Sequence, residues 1–157
     1  MNDATGRLED HLKRTRVSDT ERFLRENAAL FTDPASGFPA YMRLLLKQKG
    51  LRQQDVFLRA DISEGYGYKL ISGEKRTRRR DTLLRLFFAA GFTLDEAQKA
   101  LRLSELPALY PRFKRDAVLM IAFNSRLCDP AAVDELLTLH GLAPLLLTNP
   151  AEGGSAG

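Results

Sequence analysis

Residues 51–73, LRQQDVFLRADISEGYGYKLISG, decide how the rest of the chain is interpreted. Val56 and Ala60 lie four residues apart, which places them on one face of a helix running from about Gln53 to Ala60. The chain then bends at Asp61, one of the few residue types other than glycine that tolerate a left-handed backbone. The pattern predicts a short helix that ends in a tight turn.

A second short helix follows this turn. Ser63 is placed to cap it, and Tyr66, Leu70 and Ile71 recur at the spacing of an inward face. Gly73 is placed to end it. The sequence therefore predicts two helices that pack against each other and leave the outer side of the second one available for a partner.

These features resemble the helix-turn-helix of the Cro and lambda-repressor type, found in the Xre family of DNA-binding proteins, without a gap over about residues 38–103. The positions that match are Gln53, Val56, Ala60, Ile62, Ser63, Leu70 and Gly73. The flanking segments LLLKQKG and DTLLRLFFAAGFTLDEAQKAL also fit the family. The resemblance implies an all-α, lambda-repressor-like five-helix domain that binds double-stranded DNA, with the helix from Ser63 in the major groove.

The chain departs from the family on both faces of this helix pair. Phe57 stands where the family usually has a small residue, and Gly67 where it has isoleucine or valine. These positions face each other where the helices cross, so we expect the exchange to keep the packed volume roughly constant. Asp61 replaces a turn glycine, and Arg52 replaces a capping threonine or serine. Residues 64–66, Glu-Gly-Tyr, replace the polar and often basic residues that read bases.

The region before the match predicts one further helix. Residues 1–17 are polar with weak helical spacing, and we expect them to be partly disordered. A capping box at Ser18 and Glu21 predicts a helix over about 19–31, which either packs on the core or mediates self-association. The run ASGFP is expected to be a loop, with Pro39 in the first turn of the helix that precedes the pair.

The region after the pair predicts four more helices, two of them as a C-terminal extension. They are expected over about residues 82–90, 94–101, 111–126 and 130–140. The third contains the apolar run 117–123, so we expect it to be buried on several sides, against the first domain and a second copy of the chain. Leu142 and residues 145–147 are expected to tuck back against the core.

The chain is thus expected to divide into four segments. An N-terminal segment with one helix is followed by the helix-turn-helix domain, by a helical extension for dimerisation or regulation, and by a disordered tail. These segments are 1–37, 38–104, 105–147 and 148–157.

Length and composition limit the classes of protein to which the chain can belong. The length of 157 residues and the hydrophobic fraction of 44% suit one domain with appendages. No apolar run reaches the roughly 20 residues that span a bilayer, and the N-terminus lacks the apolar stretch of a signal peptide. We therefore expect a cytoplasmic protein with no membrane partner. His11, His140 and Cys128 lack partners at useful spacing, which argues against a metal site, a cofactor or an enzyme.

Positive charge is concentrated in the helix-turn-helix half. Residues 38–80 have a net charge of +7, whereas residues 1–37 and 81–157 have −1 and −2. This asymmetry is typical of a surface that binds a polyanion, and a solvated basic face is the alternative. The predicted DNA-binding residues are Gln53, Ser63, Glu64, Gly65, Tyr66, Tyr68, Lys69, Lys75, Arg76, Arg78, Arg79 and Arg80.

Two functions follow from these residues. The first is a homodimeric, sequence-specific transcriptional regulator, in which Glu64 accepts from cytosine and the arginine run binds phosphates. The second is a protein-interaction adaptor that retains the helix-turn-helix fold without base-specific reading. Glu64, the paired glycines and the tyrosines Tyr66 and Tyr68 favour the second, although we expect one of the two tyrosines to lie in the core.

Overall fold

A computed structural model of the chain describes residues 3–31 and 34–145. All regular secondary structure in these two ranges is helical, which confirms the all-α class. The contacts divide the chain into two compact units, residues 1–33 and 34–157. Within the described ranges, no helix combines the length and the apolar character that crossing a membrane requires.

The first unit contains two helices joined by a short 3-10 turn. Helix α1 covers Asp3–Arg14 and α2 covers Thr20–Glu26. The expectation of partial disorder before residue 18 is wrong, because the polar sequence forms an amphipathic helix. The ring of His11 on α1 lies edge-on to Phe23 of α2, with ring centroids 4.9 Å apart, and Phe23 is buried.

The second helix of this unit is shorter than its sequence pattern predicted. The expected helix over about 19–31 stops at Glu26, and residues 28–30 form a separate 3-10 turn. The predicted capping box does not form, because Asp19 takes the N-cap position and its side chain makes no capping hydrogen bond.

Between residues 34 and 145, the second unit contains seven helices. They are α3 (Pro34–Gln48), α4 (Gln53–Ala60), α5 (Glu64–Ser72), α6 (Arg80–Ala89), α7 (Leu94–Leu103), α8 (Lys114–Asn124) and α9 (Pro130–Leu139). At the centre lies α6, in which every residue from Thr82 to Ala89 is buried. It contacts α4, α7 and α9, so the helices before and after residue 104 share one core. The stacked rings of Phe88 and Phe123, 3.8 Å apart, join α6 directly to α8.

Two expected element boundaries are wrong. The run ASGFP is helical, because α3 already begins at Pro34 and contains Pro39 in its interior. Proline is well suited to the first position of a helix, where its missing N–H would have no partner in any case. The helix expected from Pro111 begins at Lys114 instead, because the Phe113 N–H bonds to the Tyr110 carbonyl in a turn.

Helix α8 is also less buried than its apolar sequence predicted. Its inner face is formed by buried Leu119, Ala122 and Phe123, whereas Ile121 on the outer face is 59% exposed. The end of the extension returns to the core at Leu145, which is buried, and Leu142 packs against the same cluster. The tail and the other leucines that were expected to tuck back, residues 146–157, lie outside the described residues.

The connection between α7 and α8 is held by side chains. The Gln98 side chain accepts a hydrogen bond from the Leu109 N–H (2.7 Å) and donates one to the Leu109 carbonyl (3.0 Å). Asp116 accepts from the Tyr110 N–H at 2.9 Å. These hydrogen bonds therefore fix the path of the loop between Pro107 and Pro111, beside the N-terminus of α6.

Candidate nucleic-acid interface

Helices α4 and α5 follow each other across a tight turn, as the sequence predicted. Helix α4 ends at Asp61, which adopts the left-handed conformation with φ 54° and ψ 48°. Ser63 is the N-cap of α5 as expected, but its side chain makes no capping hydrogen bond. Gly73 ends α5 with φ 82°, a conformation that favours glycine.

The inner face of α5 contacts α4. Tyr66, Leu70 and Ile71 are buried there, as predicted from their spacing. A Cβ atom built on Gly67 would lie only 2.5 Å from Cδ1 of Phe57, which confirms that these two positions face each other. Because Tyr66 is only 7% exposed, its prediction as a DNA-binding residue is wrong. Of the two tyrosines, Tyr66 is the one in the core.

The outer face of α5 offers a small set of polar groups. The residues exposed on it and at its start are Ser63, Glu64, Gly65, Tyr68 and Ser72, and Lys69 is partly exposed. The Glu64 carboxylate accepts a hydrogen bond from the Gln54 side chain of α4 at 3.0 Å, so its position is set by both helices. The Tyr68 ring lies edge-on to Phe57, with centroids 5.1 Å apart. Both predicted contacts are therefore held in place at the surface.

A shallow concavity runs beside this outer face. Its lining includes Arg43, Gln53, Gly65, Tyr68, Lys69, Ser72 and Glu74. The side chains of Arg43 on α3 and Gln53 at the start of α4 bring hydrogen-bond donors to the same place as Lys69. Sequence reasoning missed Arg43, because only the packing of α3 against α5 brings this exposed residue beside the presented helix. Arg43, Gln53 and Lys69 supply donors that suit an anionic group, and Glu74 adds one carboxylate to the same lining.

In the basic segment from Lys75 to Arg80, some side chains bond within the protein and others are exposed to solvent. Arg76 donates to the Ser104 carbonyl (3.3 Å) and to the Glu105 carboxylate (2.9 Å). Lys75 and Arg78 are exposed, and Arg79 is partly exposed. The segment therefore presents some cations to solvent and uses others within the protein.

Arg80 is used within the protein. Its guanidinium forms two hydrogen bonds with the buried Asp116 carboxylate and also donates to the carbonyls of Pro107 and Ala108, each at 3.3 Å. Its prediction as a phosphate contact is wrong, because these four acceptors occupy it. The sequence could not indicate this, since Asp116 lies 36 residues away.

Comparison of the chain with protein-family models, with curated proteins and with solved structures finds no significant match. The lambda-repressor-like resemblance of residues 38–103 stays a prediction, and the case for an interface rests on the geometry above. Eleven of the twelve predicted residues are exposed or partly exposed, Tyr66 being the buried one, and Arg43 joins them.

Proposed function

We propose that this protein is a sequence-specific, DNA-binding transcriptional regulator that reads the major groove through the outer face of α5. The observation that supports this most is the exposure of that face. Glu64, Gly65, Tyr68 and Lys69 project from a short helix whose other side is buried. A helix presented in this way fits the major groove of B-DNA, which is about 12 Å wide.

The cations around α5 support the same proposal. Arg43, Lys69, Lys75 and Arg78 all reach the surface, and the segment that contains them has a net charge of +7. Contacts of such cations with phosphates supply salt-dependent affinity and set the position of the helix on the duplex. Within this proposal, the carboxylate of Glu64 accepts a hydrogen bond from cytosine N4, and Gly65 allows the backbone to come close.

The proposal includes a homodimer, because recognition by this docking geometry uses two half-sites about one helical turn apart. The exposed side chains of Phe113 and Ile121 in the C-terminal extension are candidate dimer contacts. Sedimentation of the purified chain measures this independently of DNA. A monomer at concentrations that saturate DNA would remove the dimer from the proposal.

Selection of random duplex DNA by the purified full chain is the decisive experiment. The expected result is an enriched two-fold sequence, bound with an affinity that falls steeply with salt. Arg78→Ala should lower the slope of log K against log salt by about 0.9, the value for one phosphate contact. Arg102→Ala, the same change of charge on exposed Arg102 of α7, is the matched control and should leave the slope unchanged.

The adaptor remains the second candidate, because the Gln54–Glu64 hydrogen bond neutralises none of the negative charge on the presented helix. It would be favoured if no duplex were enriched at about 50 mM salt while a co-purifying protein was lost on Tyr68→Ala. Tyr68 is the residue to change, because it is exposed and substitution of buried Tyr66 would disturb the core.

A further inference from the structure

Neighbouring residues at the starts of α6 and α8 form two reciprocal ion pairs. Arg80 of α6 pairs with Asp116 of α8, with Nη1 to Oδ2 at 3.2 Å and Nη2 bonded to the other carboxylate oxygen. Arg115 of α8 pairs with Asp81 of α6 through two parallel hydrogen bonds of 2.9 and 3.0 Å. Both helices carry the same order, an arginine followed by an aspartate, and the arginine of each pairs with the aspartate of the other, so both two-pronged pairs form in only one register.

The first of these pairs lies in the interior. Asp116 is 3% exposed, and its carboxylate also accepts from the Tyr110 N–H. Arg80 also bonds to the carbonyls of Pro107 and Ala108. A carboxylate buried to this degree needs its cationic partner, because removing one member leaves an uncompensated buried charge. The pair therefore fastens the connection before α8 to the first residue of α6.

Segment 74–80, which consists of Glu74 and the basic segment from Lys75 to Arg80, is bonded to the connection between α7 and α8 at a second point. Arg76, four residues before Arg80, bonds to the Ser104 carbonyl and the Glu105 carboxylate. Residues after α7 thus hold the segment at its middle and at its end. Lys75 and Arg78 alternate with these tethers and are exposed. The spacing leaves the outward cations little freedom to move independently of the extension.

We propose that Asp116, supported by the Arg115–Asp81 pair, is a positioning residue that holds segment 74–80 in the geometry needed for phosphate contact. The C-terminal extension is then part of the DNA-binding unit and its support, and cannot be removed as a separate regulatory module. This inference rests on the proposed function for its DNA readout, and it also has a readout that needs no DNA.

The DNA-free test is hydrogen exchange of the full-length Asp116→Asn variant. Amides in residues 74–80 should exchange about tenfold faster or more, as expected when a local opening becomes easier, while those in α3 keep their wild-type rates. Lys49→Met is the matched control. It removes the Lys49–Glu96 ion pair, in which the N–O distance is 2.9 Å and the acidic side chain is 22% exposed, against 4% for Asp116, and it should leave residues 74–80 unchanged. Wild-type exchange of residues 74–80 in Asp116→Asn would overturn the inference.

The second test measures affinity and salt slope on the duplex recovered by selection. Asp116→Asn should weaken binding by between about 5-fold and 150-fold, the usual range of coupling between separated sites. Its salt slope should equal that of the wild type, because Lys75 and Arg78 are still present and form their contacts in the complex once the segment has been ordered, whereas Arg78→Ala removes a contact and lowers the slope by about 0.9. Unchanged affinity, or a slope that falls as in Arg78→Ala, would overturn the positioning role.

The two readouts separate the two proposals. If the wild type binds no duplex, the proposed function fails, and the exchange of residues 74–80 still decides whether Asp116 positions them. If Asp116→Asn does not fold, Asp81→Asn serves in both tests, because the Asp81 side chain is 27% exposed and its loss leaves no deeply buried charge. Its effects should have the same direction and be smaller.

Discussion

Replacing Gly67 by alanine should destabilise this protein, although alanine is the better helix former. The new Cβ would lie 2.5, 2.6 and 2.7 Å from Cδ1, Cε1 and Cγ of Phe57. Because Cγ lies at the base of the ring, rotation of the ring alone does not relieve the overlap. Phe57 is 1% exposed and packs edge-on against Tyr68, so the side chain has little room to withdraw. Gly67 is therefore required for space, since its backbone is helical.

The size of the effect follows from two opposing contributions. Glycine to alanine within a helix gains about 1 kcal/mol, whereas overpacking a core typically costs about 1–3 kcal/mol. Overlap with three ring atoms places Gly67→Ala in the upper part of that range, so the net loss should be about 1–2 kcal/mol. Phe57→Ala should cost about 3–5 kcal/mol, and it removes the obstacle. In that background Gly67→Ala should instead stabilise by up to about 1 kcal/mol.

Urea unfolding of the wild type, both single variants and the double variant gives the four free energies of this double-mutant cycle. These free energies can be compared if the four proteins have equal m-values. The expected coupling between the two sites is about 2–3 kcal/mol. Gly65→Ala, on the exposed side of the same helix, is the control and should have the same effect in both backgrounds. The reasoning is refuted if Gly67→Ala stabilises the wild type, or if its effect does not depend on Phe57.

Three further predictions concern single residues. Arg43→Ala should lower the salt slope of DNA binding by about 0.9 and leave stability within about 0.5 kcal/mol; an unchanged slope would exclude a phosphate contact. Burial alone would raise the pKa of Glu96, but hydrogen bonds from the Thr93 N–H and Lys49 hold that pKa below the ordinary value for glutamate. The charged form therefore stabilises the fold at neutral pH, and this contribution is lost as pH falls through the lowered pKa. Glu96→Gln should reduce the loss of stability that urea titrations measure as pH falls below the ordinary pKa of glutamate, and an unchanged loss would contradict this. Asp61→Gly should raise the free energy of unfolding by about 0.5–1 kcal/mol, because it relieves a left-handed residue; a loss of stability would show that the Asp61 side chain matters more than its backbone.

Features governed by near neighbours could be predicted from the sequence. The bounds of α4, the left-handed turn at Asp61 and the end of α5 depend on residues within one or two turns of the helix. The capping box of α7 is another case, since Thr93 and Glu96 lie three residues apart and bond to each other's backbone N–H. The exchange of volume between Phe57 and Gly67 could also be anticipated, because the crossing of two adjacent short helices fixes which positions meet.

Features that depend on long-range packing could not be predicted. Arg80 looks like its neighbours in the run RTRRR, and only the fold brings Asp116 to it. Arg43 joins the interface through the placement of α3, about 20 residues before the presented helix. The run ASGFP was expected to be a loop that leads into a helix with Pro39 in its first turn, yet Pro34 begins the helix and Pro39 lies inside it. In each case the local pattern was compatible with several outcomes, and tertiary contacts selected one.

The side chain of Gln98 provides hydrogen-bond partners for backbone groups that lie outside the helices of the second unit. Its side-chain amide offers an N–H donor and a C=O acceptor side by side, and both bond to the backbone of Leu109, as a neighbouring strand would. The chain thereby satisfies both backbone polar groups of Leu109 with one side chain. One side-chain amide thus takes the place of a neighbouring strand. Pro107 and Pro111, on either side of Leu109, have no backbone N–H and therefore reduce the number of donors in this loop that need a partner.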